Sequence, residues 1–80
     1  MSSKAYLLIK ADRGKVGEVV SSLMRLRGVE AADPVTNKYD VIAVVRDDDL
    51  TNLSSLLTGE IKKIPHISRV DSCFRVASPL

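Results

Sequence analysis

Residues 39–46 read Tyr-Asp-Val-Ile-Ala-Val-Val-Arg, a short run with apolar side chains in both alternating sets. At a period of two, Tyr39, Val41, Ala43 and Val45 share one face, and Asp40, Ile42, Val44 and Arg46 share the other. A strand of this kind must be covered on both sides. The chain has 80 residues, and residues 1–80 make one domain near the lower end of what folds around a single core. A chain of that size buries only roughly 60–65% of the surface its unfolded form exposes. The segment therefore asks for more cover than the chain readily supplies, and it predicts a partner before it predicts a chemistry.

Residues 5–10 repeat the pattern: Ala5, Leu7 and Ile9 alternate with Tyr6, Leu8 and Lys10. After Asp12-Arg13-Gly14, where Asp12 or Gly14 is placed to cap a helix, Val16, Val19, Val20, Leu23 and Leu26 recur at helical spacing over residues 15–27. Gly28 follows in the C′ position, behind a basic last turn with Arg25 and Arg27. Residues 29–35 are a weaker strand, and Pro34 assigns it to a sheet edge or a strand end. The turn Thr36-Asn37-Lys38, with Asn37 best able to take a left-handed backbone, joins it to the strong strand as a hairpin.

Asp47-Asp48-Asp49 opens a second helix, supplying an N-cap and favourable first-turn charges. Three consecutive side chains diverge, which argues against a metal site there. The buried stripe of this helix is Leu50, Leu53, Leu57, Ile61 and Ile64, with Leu56 beside it. Gly59 in its interior marks a close approach or an irregularity, and Pro65 stops it. Residues 67–77 form the last strand, with Ser68, Val70, Ser72, Phe74 and Val76 on one face and Ile67, Arg69, Asp71, Cys73 and Arg75 on the other. Residues 78–80 read as a loose tail.

This order predicts an α+β, ferredoxin-like βαββαβ domain: a four-stranded antiparallel sheet with two helices on one face. Ala5, Leu7, Ile9, Val41, Ala43, Val45, Val70, Phe74 and Val76 fall on the helix side. Tyr6, Leu8, Ile42, Val44 and Cys73 fall on the other, framed by Arg46, Arg69, Asp71 and Arg75. A contiguous apolar patch framed by charge is an interface signature, so Tyr6, Leu8, Ile42 and Val44 are the expected contacts of a dimer.

The composition removes several function classes. Twelve basic residues stand against 10 acidic ones, with no clustered basic block, and Tyr6 is the one ring expected on the outward face of the sheet. Direct DNA binding and an RNA-stacking platform are therefore not expected. A single cysteine excludes an internal disulfide, and a single histidine leaves no metal-ligand set. His66 reads as a surface loop residue and Cys73 as a packing residue. Gly14 and Gly17 are too sparse for a phosphate loop, so no cofactor is expected. No signal peptide or membrane-length apolar run is evident, and the expected compartment is the reducing cytoplasm. Without a nucleophile–base pair, an enzyme has no residues to carry it. Asp40 stands apart, an acid at the start of an apolar strand beside a turn with free backbone groups. It reads either as an acceptor for a ligand ammonium, helped by the backbone of Thr36-Asn37-Lys38, or as a strand-end carboxylate that bonds the turn and meets water.

Val35-Thr36-Asn37-Lys38-Tyr39-Asp40-Val41 resembles the Val-Thr-Gly-x-Tyr/Phe-Asp-hydrophobic signature of the Lrp/AsnC (feast/famine) transcriptional regulators. The likeness is to their C-terminal effector domain, the RAM domain (regulation of amino acid metabolism). It continues in order through Ala5-Tyr6-Leu7-Leu8-Ile9, Gly14-Lys15-Val16, Gly28-Val29-Glu30-Ala31 and Val44-Val45-Arg46-Asp47-Asp48-Asp49-Leu50. Ile64-Pro65-His66-Ile67-Ser68-Arg69-Val70-Asp71-Ser72 resembles the family's Ile/Leu-Pro-Gly-Val-x-x-Thr-x-Thr segment. Asn37 and His66 stand where the family usually has Gly, and Ser72 stands for its second Thr. Full regulators carry a helix-turn-helix domain ahead of this one, so the resemblance implies a stand-alone effector domain.

The resemblance implies dimers that close an α/β barrel through their sheets and assemble to octamers or decamers. It implies free amino acids as effectors, bound between dimers near the signature turn. Carried over by position, the ligand contacts are Thr36, Asn37 and Asp40, with Ser72 and Cys73 on the last strand. The expected function is an amino-acid-sensing oligomeric module in transcriptional regulation, acting through a partner such as a full-length Lrp/AsnC regulator. A ligand-free assembly domain and a small dimeric α/β-barrel enzyme are the alternatives.

Overall fold

The computed structural model describes residues 3–76, with the elements β1 (Ser3–Ala11), α1 (Val16–Met24), β2 (Val29–Pro34), β3 (Val41–Asp47), α2 (Leu50–Ser55) and β4 (Ile67–Phe74). The strands form one antiparallel sheet in the order β2-β3-β1-β4, with both helices on one face. This is the ferredoxin-like order that the alternating and helical periodicities predict. The readings of Ala77 as strand and of residues 78–80 as a tail lie outside the described residues.

β1 and β3 are the central pair, and their alternation decides the core. Ala5, Leu7 and Ile9 lie across from Val45, Ala43 and Val41, and all six are fully buried. Val19 and Leu23 of α1, Leu53 of α2 and Ile61 close over them. Each large aliphatic side chain so buried contributes about 1.5–3 kcal/mol relative to exposure. Pro34 sits on the edge strand β2, where its missing N–H leaves no ladder bond unmade on the outer side.

Several local expectations change. Neither Asp12 nor Gly14 caps α1: the residue before the helix is Lys15, with no side-chain cap, and its N–H donates to the Asp12 carbonyl at 3.0 Å. The helix ends at Met24, so Gly28 is not its C′ residue. Gly28 instead turns the chain into β2 at φ +97°, and its carbonyl accepts the Arg46 N–H at 2.8 Å. A Cβ there would lie 3.2 Å from Leu56 Cδ2 and 3.3 Å from the Arg46 carbonyl, so backbone conformation and space both favour glycine.

Asp49 is the N-cap of α2, accepting the Thr51 N–H at 2.8 Å, while Asp47 accepts the Asp49 N–H at 2.9 Å. Past Ser55 the helix widens into a π-helical turn, Leu56–Glu60, and then tightens into a 3-10 turn, Ile61–Lys63. Gly59 lies in the widened turn with open space around it, so it marks an irregularity and not a close approach. Leu53, Ile61 and Ile64 keep their buried places, but Leu50, at the first helical position, is 55% exposed.

α1 packs on β2 and β3, and α2 on β3 and β1. The edge strand β4 therefore has thin cover on its helix side. Phe74, on that side opposite Ala5, stays 46% exposed, and Val76, beyond the strand, 70%. The other face of the sheet carries Tyr6 opposite Val44 and Cys73, and Leu8 opposite Ile42 and Asp71. No described element lies over these side chains.

Candidate functional site

The backbone ladder between β1 and β3 ends at Ile9 and Val41. The chain then bends away through the hairpin, and the Ala11 N–H is left one step beyond the last pair. A backbone donor at a strand end needs an acceptor. Asp40 supplies it: its Oδ2 accepts the Ala11 N–H at 2.8 Å. The Asp40 N–H donates to the Ile9 carbonyl at 2.8 Å, and its carbonyl accepts the Val35 N–H at 2.9 Å, closing the hairpin loop. The carboxylate thus extends the ladder by one bond, to a neighbouring strand and not to its own turn. On the opposite edge of β1 the register with β4 shifts between Lys10 and Ala11, and the Ser68 hydroxyl donates to the Lys10 carbonyl at 3.2 Å.

Within the hairpin, Asn37 has φ +88°. The only other described non-glycine residue with positive φ is His66, at +71°. These are the two positions at which the resembling family usually has Gly, so both turns keep the left-handed backbone that glycine would adopt freely. Asn accepts it at low cost; His is less suited. His66 Nδ1 lies 3.4 Å from Asp12 Oδ2, and the His66 carbonyl accepts the Asp12 N–H at 2.8 Å.

Tyr39 departs from strict alternation. It precedes β3, so the ladder does not fix its face, and its side chain turns to the open side of the sheet. There its hydroxyl donates to Asp71 Oδ2 at 2.5 Å, crossing β1 to reach β4. Arg69 Nε contacts both Asp71 oxygens at 3.2 Å. The phenol's hydrogen bond, against desolvation and with help from Arg69, holds the Asp71 carboxyl below its ordinary range. The same bond, with desolvation and the charge of Asp71, raises the Tyr39 phenol. Lys10, opposite Arg69 in the register, donates from Nζ to the Lys38 carbonyl at 3.0 Å. Lys10, Lys38, Tyr39 and Arg69 line a shallow depression of about 280 Å³.

The structure therefore brings Thr36, Asn37 and Asp40 together in one hairpin at the end of β1. It does not bring Ser72 and Cys73 to them. These residues lie opposite Leu7 and Tyr6, further down β1, and they project to opposite faces. Ser72 lines a groove of about 310 Å³ on the helix side with Leu57, Val70 and Phe74. Cys73 is an exposed free thiol on the open side. Sequence reasoning missed the cluster formed by Lys10, Lys38, Tyr39, Arg69 and Asp71. Its one legible signal was the alternation that puts Lys10 and Arg69 on the outward face. Pairing across strands required the register.

The chain is thus a ferredoxin-like domain with helices on one face of the sheet, an open apolar face and an acid-tipped hairpin. Residues 4–79 match the family model described as the Lrp/AsnC ligand binding domain, and the chain belongs to that family. Among curated proteins, none matches the chain. Solved structures do. The chain is similar to the hypothetical protein PHS023 from Pyrococcus horikoshii, at 28% identity and a TM-score of 0.88, covering 96% of this chain and 93% of that one. It is similar to FFRP-DM1 at 30% identity and a TM-score of 0.87, covering 92% of this chain and 99% of that one. It shares the fold of the transcriptional regulator NMB0573 of Neisseria meningitidis, solved as a complex with L-Met, at 12% identity and a TM-score of 0.81. That match covers 98% of this chain and 52% of the regulator. No described helix is long and apolar enough to cross a membrane.

Proposed function

We propose that the chain is an amino-acid-sensing oligomeric effector module of a regulatory system. The observation that carries this reading is the Asp40 carboxylate at the mouth of the left-handed turn. One oxygen is held by the Ala11 N–H, so the group is fixed in place, and Oδ1 takes no part in that bond. A positioned carboxylate is the acceptor an α-ammonium needs, and the backbone groups of Thr36, Asn37 and Lys38 lie beside it for the α-carboxylate. The L-Met complex of NMB0573 supports amino acids as the ligand class, through a shared fold.

In the same reading, a second copy covers Tyr6, Leu8, Ile42 and Val44, closing a dimeric α/β barrel, and dimers assemble into rings of eight or ten chains. A ligand held between dimers shifts assembly by its differential affinity for the assembled state. The module acts in the cytoplasm through a partner, such as a full-length regulator of the same family, and does not bind DNA itself. It is not an enzyme in this reading. The space between helices and sheet is filled by aliphatic side chains, with no buried polar or charged residue among those described.

A second reading, a ligand-free assembly domain, draws support from the bond between Asp40 and Ala11, which gives the carboxylate a structural duty. Thermal unfolding in the presence of each of the twenty amino acids, coupled to light scattering, separates the two. The sensor reading expects at least one amino acid to raise the midpoint and change the mass in solution. No response of either kind to any of them decides for the assembly domain.

A further inference from the structure

Lys10 and Arg69 stand directly opposite each other in the β1–β4 register, on the open side of the sheet. Like charges in that relation repel. Lys38 brings a third cation to the same depression. Among the described residues, Asp71 is the one acid in contact with the cluster, and its oxygens already accept from Tyr39 and Arg69. Lys10, Lys38 and Arg69 against Asp71 leave two positive charges in excess. Among the described residues, no carboxylate lies within ion-pair distance of Lys10 or Lys38. The Lys10 ammonium gives one donor to the Lys38 carbonyl and keeps two others; the Arg69 guanidinium keeps its Nη groups.

The cluster adjoins the hairpin acid. Lys38 is two residues from Asp40, and Lys10 precedes Ala11, whose N–H Asp40 holds at 2.8 Å. One small region therefore offers a fixed carboxylate at one pole and a cationic depression of about 280 Å³ at the other. A ligand that satisfies both poles carries an ammonium and, a few bonds away, a carboxylate beyond the α-carboxylate.

We infer that the effector is an acidic amino acid, its α-ammonium at Asp40 and its side-chain carboxylate in the depression formed by Lys10, Lys38, Tyr39 and Arg69. This rests on the amino-acid-sensing reading above and names its ligand class. Charge-assisted bonds from Lys and Arg to the side-chain carboxylate discriminate against the neutral amide, which brings the same shape without the charge.

The test is thermal unfolding of the full chain with L-glutamate, L-aspartate, L-glutamine, L-asparagine, succinate or inorganic phosphate, each at about 10 mM and matched ionic strength. One of the acidic amino acids is expected to raise the midpoint by about 5 °C or more, and to exceed its amide, succinate and phosphate. Lys10→Gln and Arg69→Gln are expected to abolish that shift. Each variant relieves the cross-strand repulsion but also loses a contact, Arg69 to Asp71 or Lys10 to the Lys38 carbonyl, so the shift is read against that variant's own ligand-free midpoint. Amides that match or exceed the acids overturn the inference and leave the amino-acid reading standing. Succinate or phosphate matching glutamate overturns it because the ammonium then contributes nothing. A glutamate shift that survives in Lys10→Gln and Arg69→Gln removes the depression from the site and overturns it as well. Silence from all six ligands overturns it too, and the twenty-amino-acid series then tells whether the sensor reading falls with it.

Discussion

β1 and β3 present similar side chains on their two faces, yet the faces meet different surroundings. Ala5, Leu7, Ile9, Val41, Ala43 and Val45 are fully buried beneath α1 and α2. Leu8, Ile42 and Val44 are only partly buried, and Tyr6 is 38% exposed. Apolarity alone does not separate the two sets. The crossover connections do, since both helices return to the same side. A strand pattern sets how much cover is needed, and connectivity decides which face the chain covers for itself.

The largest effects should fall on the covered face. Leu7→Ala leaves a cavity between sheet and helices and is expected to cost about 2–5 kcal/mol in chemical denaturation. Ile42→Asp, its counterpart on the open face, should keep the far-UV circular dichroism of the fold while reducing the mass in solution to that of one chain. If Ile42→Asp unfolds the protein as Leu7→Ala does, or if it leaves an oligomer intact, the contrast between the faces is broken.

Next in size is the hairpin between β2 and β3, beside the end of β1. Asp40→Ala leaves the Ala11 N–H without its acceptor and is expected to cost about 1–3 kcal/mol, read from urea midpoints. Asp40→Asn keeps an oxygen for that bond, so it should lose less stability while losing the charge. Equal losses in the two variants would show that the charge, and not the extended ladder, holds the strand end.

Smaller again is the pH dependence of the open face. Asp71 has a lowered carboxyl in the fold because Tyr39 donates to its charged form. Its contribution is therefore present above the ordinary carboxylate pKa of 3.8 and is lost as pH falls through the lower folded value. Tyr39 is raised above 10.0, so its contribution is present below that value and is lost as pH climbs through the higher folded one. Tyr39→Phe should flatten both limbs of the stability profile; an unchanged acid limb would separate Asp71 from the phenol. The smallest effect is at the two left-handed turns. His66→Gly is expected to gain up to about 1 kcal/mol and Asn37→Gly less, because Asn already tolerates positive φ. The reverse ranking by thermal midpoint would mean that the contact between His66 and Asp12 outweighs its backbone cost.

Much of this architecture was legible in the pattern of residues. The element order, the edge position of β2 at Pro34, the N-cap in the Asp triplet and the left-handed turn at Asn37 all rest on local chemistry that a sequence displays. The misses share a cause. Tyr39 lies just ahead of a ladder, where alternation no longer binds it, so its face could not be read. Phe74 and Val76 looked like core because periodicity ranks faces and does not say how far a helix reaches across a sheet. Gly28 looked like a helix end because glycine after a basic turn often is one; the close approach of Leu56 and Arg46 comes from elements distant in the chain.

By itself, then, the sequence determined the βαββαβ order, the membership in the Lrp/AsnC ligand-binding family and the suspicion attached to Asp40. Each depends on periodicity, on turn chemistry or on short motifs in a fixed order. Only the tertiary structure decided that Asp40 bonds to the Ala11 backbone, that Ser72 and Cys73 lie apart from it, and that Lys10, Lys38 and Arg69 converge beside it. Those relations are set by strand register and by where the β1 ladder stops. Register brings together residues as far apart in the chain as Lys10 and Arg69, a proximity that no local pattern encodes.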